Sequence, residues 1–216
     1  MTGMMMLCGQ SNALWHFAAG RYPGKVGLLL GPSYYRKQAI RDWLPYALDN
    51  DAFSAFTSGD QWSVEAWREM ISTVRINRQK PLWALVPDVV SDREKTLRNW
   101  EIYHGEVESA GWCTAFAVQD GMTTSDVPKN ADVVFVGGSD SFKWGTVRTW
   151  ASKFQRVHVG RVNNIEKVWL CQDLGIESVD GTGWFRDPSR DDKLPALRRW
   201  IEGDRGPEQL RFSFGQ

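Results

Sequence analysis

Three aspartates and one glutamine in this chain each stand directly after a short apolar run: Asp49 after Tyr46-Ala47-Leu48, Asp88 after residues 82–87, Gln119 after 114–118, and Asp180 after Glu177-Ser178-Val179. Two carboxyl groups held in one cleft can divide the work of a nucleophile and a general acid–base. A third carboxylate beside an amide can grip the hydrogen-bonding edge of a purine-like ring, because the amide both donates and accepts. Singly, an aspartate after a strand is ordinarily a helix cap or a turn residue. Three in the same relation to a strand, with Gly137-Gly138 after 133–136 and Gly160 after 157–159, ask for a fold that gathers strand ends in one place.

The elements that must do this follow from periodicity. Short apolar runs alternate with segments of helical period, the order of repeated βα units. Strands are expected over 26–30, 46–48, 82–86, 114–118, 133–136, 157–159 and 177–179, with a poorly marked first strand at 4–7. Residues 63–77 open on a serine cap and place Val64, Trp67, Ile71 and Val74 on one helical face. Residues 91–110 open on Ser91-Asp92-Arg93-Glu94, a capping-box pattern, and stop at Gly111. Helices over 142–154, 164–174 and 194–201 complete the set. Seven or eight such units in 216 residues fit a compact, TIM-like (β/α)8 barrel, a fold that runs from roughly 200 residues upward. A doubly wound sheet is the second choice. In a barrel the carboxyl ends of the strands converge on one mouth, where active sites lie. The expected organisation is a single catalytic barrel over 1–203 and a polar C-terminal tail over 204–216.

Composition narrows the classes of function. Lysine and arginine number 26, as do aspartate and glutamate, so the formal net charge of zero excludes a polycation built to coat nucleic acid. Any basic surface must be local. The 12 tryptophans and 10 phenylalanines can pack a core or floor a stacking pocket. Cys8, Cys113 and Cys171 are scattered, which argues against a disulfide framework and a CxxC zinc site. The opening residues lack the basic and apolar regions of a secretory signal, and no run approaches the roughly 18 apolar residues of a membrane span. The expectation is a cytoplasmic protein with no membrane partner, no metal and no cofactor. His158, inside a strand, reads as a structural hydrogen-bonder.

The segment 141–167 carries six basic side chains, Lys143, Arg148, Lys153, Arg156, Arg161 and Lys167, against Glu166 alone. Phe142, Trp144, Trp150 and Phe154 are interleaved with them. The plainer reading is an amphipathic helix with a solvated basic face. Position favours another: Lys143 and Trp144 follow the Gly-Gly strand end and Arg161 follows Gly160, so all three are expected to border the mouth and meet phosphates or an unstacked base. Arg186, after Trp184, is expected to extend that surface. Gly137-Gly138 has a rival role, binding a phosphate through its amides as late loops of other barrels do.

Taken in order, Leu48-Asp49-Asn50-Asp51-Ala52-Phe53, Val86-Pro87-Asp88, Val118-Gln119-Asp120-Gly121, Val136-Gly137-Gly138, Val159-Gly160 and Ser178-Val179-Asp180 resemble the ordered motifs of the tRNA-guanine transglycosylases. The resemblance implies an enzyme that exchanges guanine in a polynucleotide for a 7-deazaguanine. It makes Asp180 the nucleophile that holds the sugar covalently and Asp49 the general acid–base. It assigns Asp88, Gln119, Gly137 and Gly138 to the base, with Asn50 and Phe53 at the same loop. Asn50 stands where the family has serine, and Asp51-Ala52-Phe53-Ser54 replaces its Gly-Gly-Phe-Gln. The family's zinc-binding cysteines and histidine have no counterpart, which favours the short branch that places bases such as 7-cyano-7-deazaguanine into DNA. The implied partners are DNA, or alternatively tRNA, together with the free base and either helper proteins or a second copy. Beside this stand a non-catalytic nucleic-acid-binding barrel and an unrelated small-molecule barrel enzyme using the Gly-Gly loop for a phosphate.

Overall fold

The computed structural model describes residues 3–9, 12–37, 40–181, 183–185 and 193–205. Eight strands form: β1 (Met5–Cys8), β2 (Val26–Leu30), β3 (Tyr46–Leu48), β4 (Ala84–Leu85), β5 (Thr114–Val118), β6 (Val133–Val136), β7 (Val157–Val159) and β8 (Ser178–Asp180). Each pairs in parallel with the next, and β8 returns to β1 through Leu7↔Asp180, so the sheet closes into a barrel. The expected (β/α)8 barrel is the fold, and the doubly wound alternative, which leaves two open edges, is excluded.

Strand alternation divides the core into two layers. Leu7, Leu29, Ala47, Leu85, Ala115, Ala117 and Val133 point inward, around the indole of Trp83. The three alanines leave the space that this indole fills. Their strand neighbours, such as Met6, Leu28, Tyr46, Phe116, Val134 and Val179, point outward and pack beneath the helices. On β7 and β8 the inward positions are polar: His158, Ser178 and Asp180 are all buried. That departure from an aliphatic interior lies at one side of the mouth.

The helices are α1 (Ala13–Arg21), α2 (Ala52–Ser58), α3 (Val64–Val74), α4 (Arg93–Ser109), α5 (Asp140–Lys153), α6 (Ile165–Asp173) and α7 (Lys193–Glu202). Ser63 caps α3 by accepting from Ala66 N, and Asn164 caps α6 by accepting from Glu166 N and Lys167 N. Two of the differences from the expected boundaries bear on the site. Asp92, not Ser91, caps α4, because Ser91 adopts a left-handed backbone at φ 58° and turns its amide toward Gln119 Oε1 at 3.0 Å. Helix α5 starts at Asp140, two residues early, because Ser139 accepts from Phe142 N. Helices α1 and α2 were not expected. Of the polar tail, only Asp204 and Arg205 lie within the described residues. Among the described residues no helix is long and apolar enough to cross a membrane.

Candidate active site

The strand ends meet around a cavity of about 320 Å³ whose lining includes Asp49, Asn50, Asp88, Gln119, Gly137, Gly138, Arg161 and Asp180. Phe53, half-exposed on α2, forms part of its rim. All the residues expected at the catalytic and base-binding positions are therefore brought together, from five different strand ends.

Asp88 is the centre of an amide cradle. Asn50 Nδ2 donates to its Oδ1 at 2.7 Å and Gln119 Nε2 donates to its Oδ2 at 2.6 Å. Asn50 is itself locked, since Nδ2 also reaches Val86 O and Oδ1 accepts from Ala52 N at the start of α2. Gln119 is fixed by the Ser91 amide. These bonds hold Asp88 as an acceptor, yet burial outweighs them and raises its carboxyl above the ordinary value. The role of Asn50 is accordingly to brace Asp88, Val86 and the first turn of α2.

Asp49 has a different environment. It lines the cavity, its Oδ1 accepts from Asn50 N at 2.8 Å, and burial together with the charges of Asp51 and Asp180 pushes its carboxyl well above the carboxylate range. A carboxyl so perturbed is protonated where an ordinary aspartate is not, which suits a proton donor. Asp51, at φ 59°, turns its carboxylate back to accept from both Ser33 N and Ser33 Oγ, at 2.8 and 2.7 Å. Gly31 makes this approach possible, because a Cβ there would lie 2.0 Å from Asp51 Oδ1. Tyr34 closes the same side. Burial and the nearby Asp49 raise its phenol well above its ordinary value, so it stays a neutral donor, bonded to Leu29 O at 2.8 Å.

Asp180 is held on both oxygens. His158 Nε2 lies 3.0 Å from Oδ2, and Arg161 N donates to Oδ1 at 3.0 Å. The imidazole is in turn fixed by Ser178 Oγ, 2.8 Å from Nδ1, and stands between the rings of Trp83 and Phe135, with centroids 4.8 and 4.7 Å away. The expectation of a hydrogen-bonding histidine holds, but its partner is the carboxylate expected to react. Arg161 presents its amide to Asp180 from a left-handed backbone at φ 58°. Its guanidinium donates to Gly138 O and lies 4.0 Å over the Phe53 ring.

Of the residues expected to meet nucleic acid, Trp144 and Arg161 line one groove, whereas Lys143 is buried. Lys143 is 0% exposed: its Nζ donates to Gly160 O at 2.9 Å and pairs with Asp140 at 3.1 Å. Burial and the charge of Arg161 lower its ammonium below the ordinary lysine value. The i, i+4, i+7 spacing puts Lys143, Val147 and Trp150 on the inward face of α5, so Lys143 ties α5 to the loop after β7 and cannot reach a phosphate. Trp144 is half-buried beneath Lys167, whose Nζ lies 4.7 Å from its ring centroid. Arg186 lies outside the described residues. Of the Gly-Gly amides, that of Gly137 already donates to Val118 O, and the amide that follows the pair, Ser139 N, donates to Asp120 Oδ2. Among the described residues no group of three histidine, cysteine or acidic side chains is placed to hold a metal ion.

No protein-family model matches the chain, and no curated protein does. Solved structures do. The tryptophan synthase a2b2 complex from the hyperthermophile Pyrococcus furiosus is similar at 15% identity and a TM-score of 0.53, over 97% of this chain and 98% of that one. A second structure of the tryptophan synthase complex from that organism gives 12% identity and a TM-score of 0.53, over 94% and 98%. A third, of the tryptophan synthase A-subunit alone, gives 14% and 0.51, over 97% and 98%. The likeness is one of fold. It corrects the transglycosylase resemblance, because the barrels that match over nearly the whole chain are tryptophan synthase subunits. Guanine exchange, the 7-deazaguanine substrate, and DNA or tRNA as partners are withdrawn with it, and so is the non-catalytic nucleic-acid-binding alternative. The physical reason is plain. Polar residues and glycines at strand ends are common to barrel mouths of unlike activity, so their presence marks the architecture and not the reaction.

Sequence reasoning missed Tyr34, Asp51 and the partnership of His158 with Asp180. The signal for the last was present: His158 and Ser178 occupy alternate, inward positions on strands that end beside Asp180.

Proposed function

We propose that this chain is an enzyme that transforms a small molecule in the barrel mouth by proton transfer between two carboxyl groups. The observation that carries this reading is the unlike setting of Asp49 and Asp180 in one cavity. Burial and acidic neighbours raise the Asp49 carboxyl well above the ordinary carboxylate range, whereas Asp180 has a hydrogen-bond partner on each oxygen. Such division of two carboxyl groups by environment assigns the acid and the base. Asp49 delivers a proton to the departing or developing negative atom, and Asp180 accepts one or stabilises positive charge on the opposite side. Asp88, with its amide cradle, orients the substrate by accepting from its N–H or O–H groups. A substrate of this site is small, since the cavity is about 320 Å³, and rich in donors, since Asp49, Asp51, Asp88 and Asp180 line it.

The similar structures are subunits of tryptophan synthase, so indole-bearing compounds are the first class to offer the pocket. The test is to incubate the protein with a defined pool of indole-bearing and other heterocyclic small molecules and their phosphorylated derivatives, following each by mass spectrometry. Wild type is expected to convert at least one compound, with Asp49→Asn and Asp180→Asn each slower by about 100-fold or more. Conversion that is equal in wild type and both variants would remove the proposal.

A further inference from the structure

A second concavity, an open groove of about 890 Å³, adjoins the mouth and shares Phe53, Ser54 and Arg161 with it. The sign of charge reverses across that shared wall. The mouth is lined by Asp49, Asp51, Asp88 and Asp180, whereas the groove presents Arg161 and Lys167. Its single carboxylate among the described residues, Asp140, is already paired with Lys143 at 3.1 Å.

The donors of the groove are under-used. Arg161 makes no ion pair among the described residues; one N–H goes to Gly138 O, and its face lies on Phe53. Lys167 likewise has no carboxylate partner among them, and its Nζ sits over the Trp144 ring. Asn163 and Asn164 turn their side-chain oxygens inward, to Gly183 N at 2.9 Å and to the first amides of α6 at 2.8 and 3.2 Å. Their carboxamide N–H groups have no acceptor among the described residues. A groove with two cations, two spare amide donors and its one acid neutralised is short of acceptors, and an oxyanion supplies them. With the Asn164 side chain already on the α6 amides, the anion is met by side chains and not by a helix terminus.

We propose that this groove binds an oxyanion arm, a phosphate ester or a carboxylate, of the small molecule whose reacting end occupies the mouth. Arg161 joins the two regions, since its backbone amide holds Asp180 Oδ1 while its guanidinium forms the shared wall. The proposal rests on the reading of the mouth as a small-molecule site and names the other half of that substrate: donors at one end, a negative charge at the other.

The experiment is titration of the whole protein at low ionic strength with inorganic phosphate and, separately, with acetate, read by calorimetry and by the indole N–H resonance of Trp144. Wild type is expected to bind at least one anion in the millimolar range and to move that resonance, with affinity falling as chloride is added. Lys167→Met should weaken binding about tenfold and Lys167→Arg should keep it. Because Lys167 lies near the start of α6 and has no ion pair to break among the described residues, both variants are expected to fold, which circular dichroism checks. Stronger binding of phosphate assigns a phosphate arm, and stronger binding of acetate a carboxylate arm. The proposal is overturned if neither anion binds below about 50 mM, or if Lys167→Met binds as wild type does. Asp49→Asn and Asp180→Asn are expected to bind the anion undiminished. Anion binding without turnover in any compound pool would therefore count against the catalytic reading alone, and turnover without anion binding against this one alone.

Discussion

At the scale of single residues, the site keeps carboxyl groups close together by giving each a different environment. Asp49 carries the largest consequence for stability. Its folded-state pKa is raised well above 3.8 by burial, then by Asp51 and Asp180, so the folded protein holds a proton that the unfolded chain releases. Stability from this group is therefore fullest below pH 3.8 and falls as pH rises toward the folded-state value. Asp49→Asn removes that penalty and keeps the shape. The expected result is a melting temperature above wild type at neutral pH, a difference that shrinks on acidification, and loss of turnover. A variant less stable than wild type at neutral pH would contradict this electrostatic account. Gly31→Ala makes a separate prediction, because its methyl would collide with the Asp51 carboxylate and drive it from Ser33. Overpacking of this kind costs about 1–3 kcal/mol, readable as a lower urea midpoint. The site aspartates and Gln119 were legible in the sequence because each ends an apolar run. Asp51 and Tyr34 were not, since their roles depend on a turn at Gly31 and on a left-handed backbone at Asp51 that residue type does not announce.

At the scale of elements, what the sequence shows best is caps, and what it shows least is short or weakly patterned pieces. Ser63 was read correctly as the cap of α3, whereas Asn164, read as the first residue of its helix, is the cap of α6. Asn164→Ala should cost about 1 kcal/mol of unfolding free energy, the usual loss on removing a side-chain cap, without altering the strands that carry Asp49 and Asp88. An unchanged urea midpoint would mean that packing on α7, not the cap, holds α6. Helix α2 escaped notice because it has only seven residues, Ala52–Ser58, and starts from a left-handed Asp51 that offers no capping hydrogen bond. Helix α1 escaped because its aromatic and small residues form no sharp apolar stripe. The packing of α5 had the larger functional consequence. Lys143 shares the buried face of α5 with Val147 and Trp150, so a lysine that reads as a phosphate contact is a tie between α5 and Gly160.

At the scale of the whole molecule, the barrel was legible because eight apolar runs in βα order have few other solutions in a chain of this length. Closure needed β1, whose Met-rich run is poorly marked in sequence yet pairs with both β2 and β8. The interior is asymmetric: Trp83 fills the space left by Ala47, Ala115 and Ala117, while β7 and β8 contribute polar side chains. Trp83→Ala is expected to cost about 3–5 kcal/mol, as large-to-small changes at buried aromatic sites do, and also to loosen His158, whose ring packs on that indole. Equilibrium unfolding followed by fluorescence and circular dichroism should show one common transition at lower denaturant. The same strand-end pattern that made the fold legible drew the functional reading toward one family, because a polar mouth looks alike in barrels of unlike activity. What the mouth itself supports is a proton donor at Asp49 and an acceptor at Asp180. The measurement that tests this most directly is the pH dependence of kcat/KM for the converted compound in wild type, Asp49→Asn and Asp180→Asn. Activity should fall in wild type as pH rises through the raised pKa of Asp49, and both variants should lose about 100-fold or more. An Asp49→Asn enzyme with wild-type kcat/KM and the same alkaline fall would contradict the account.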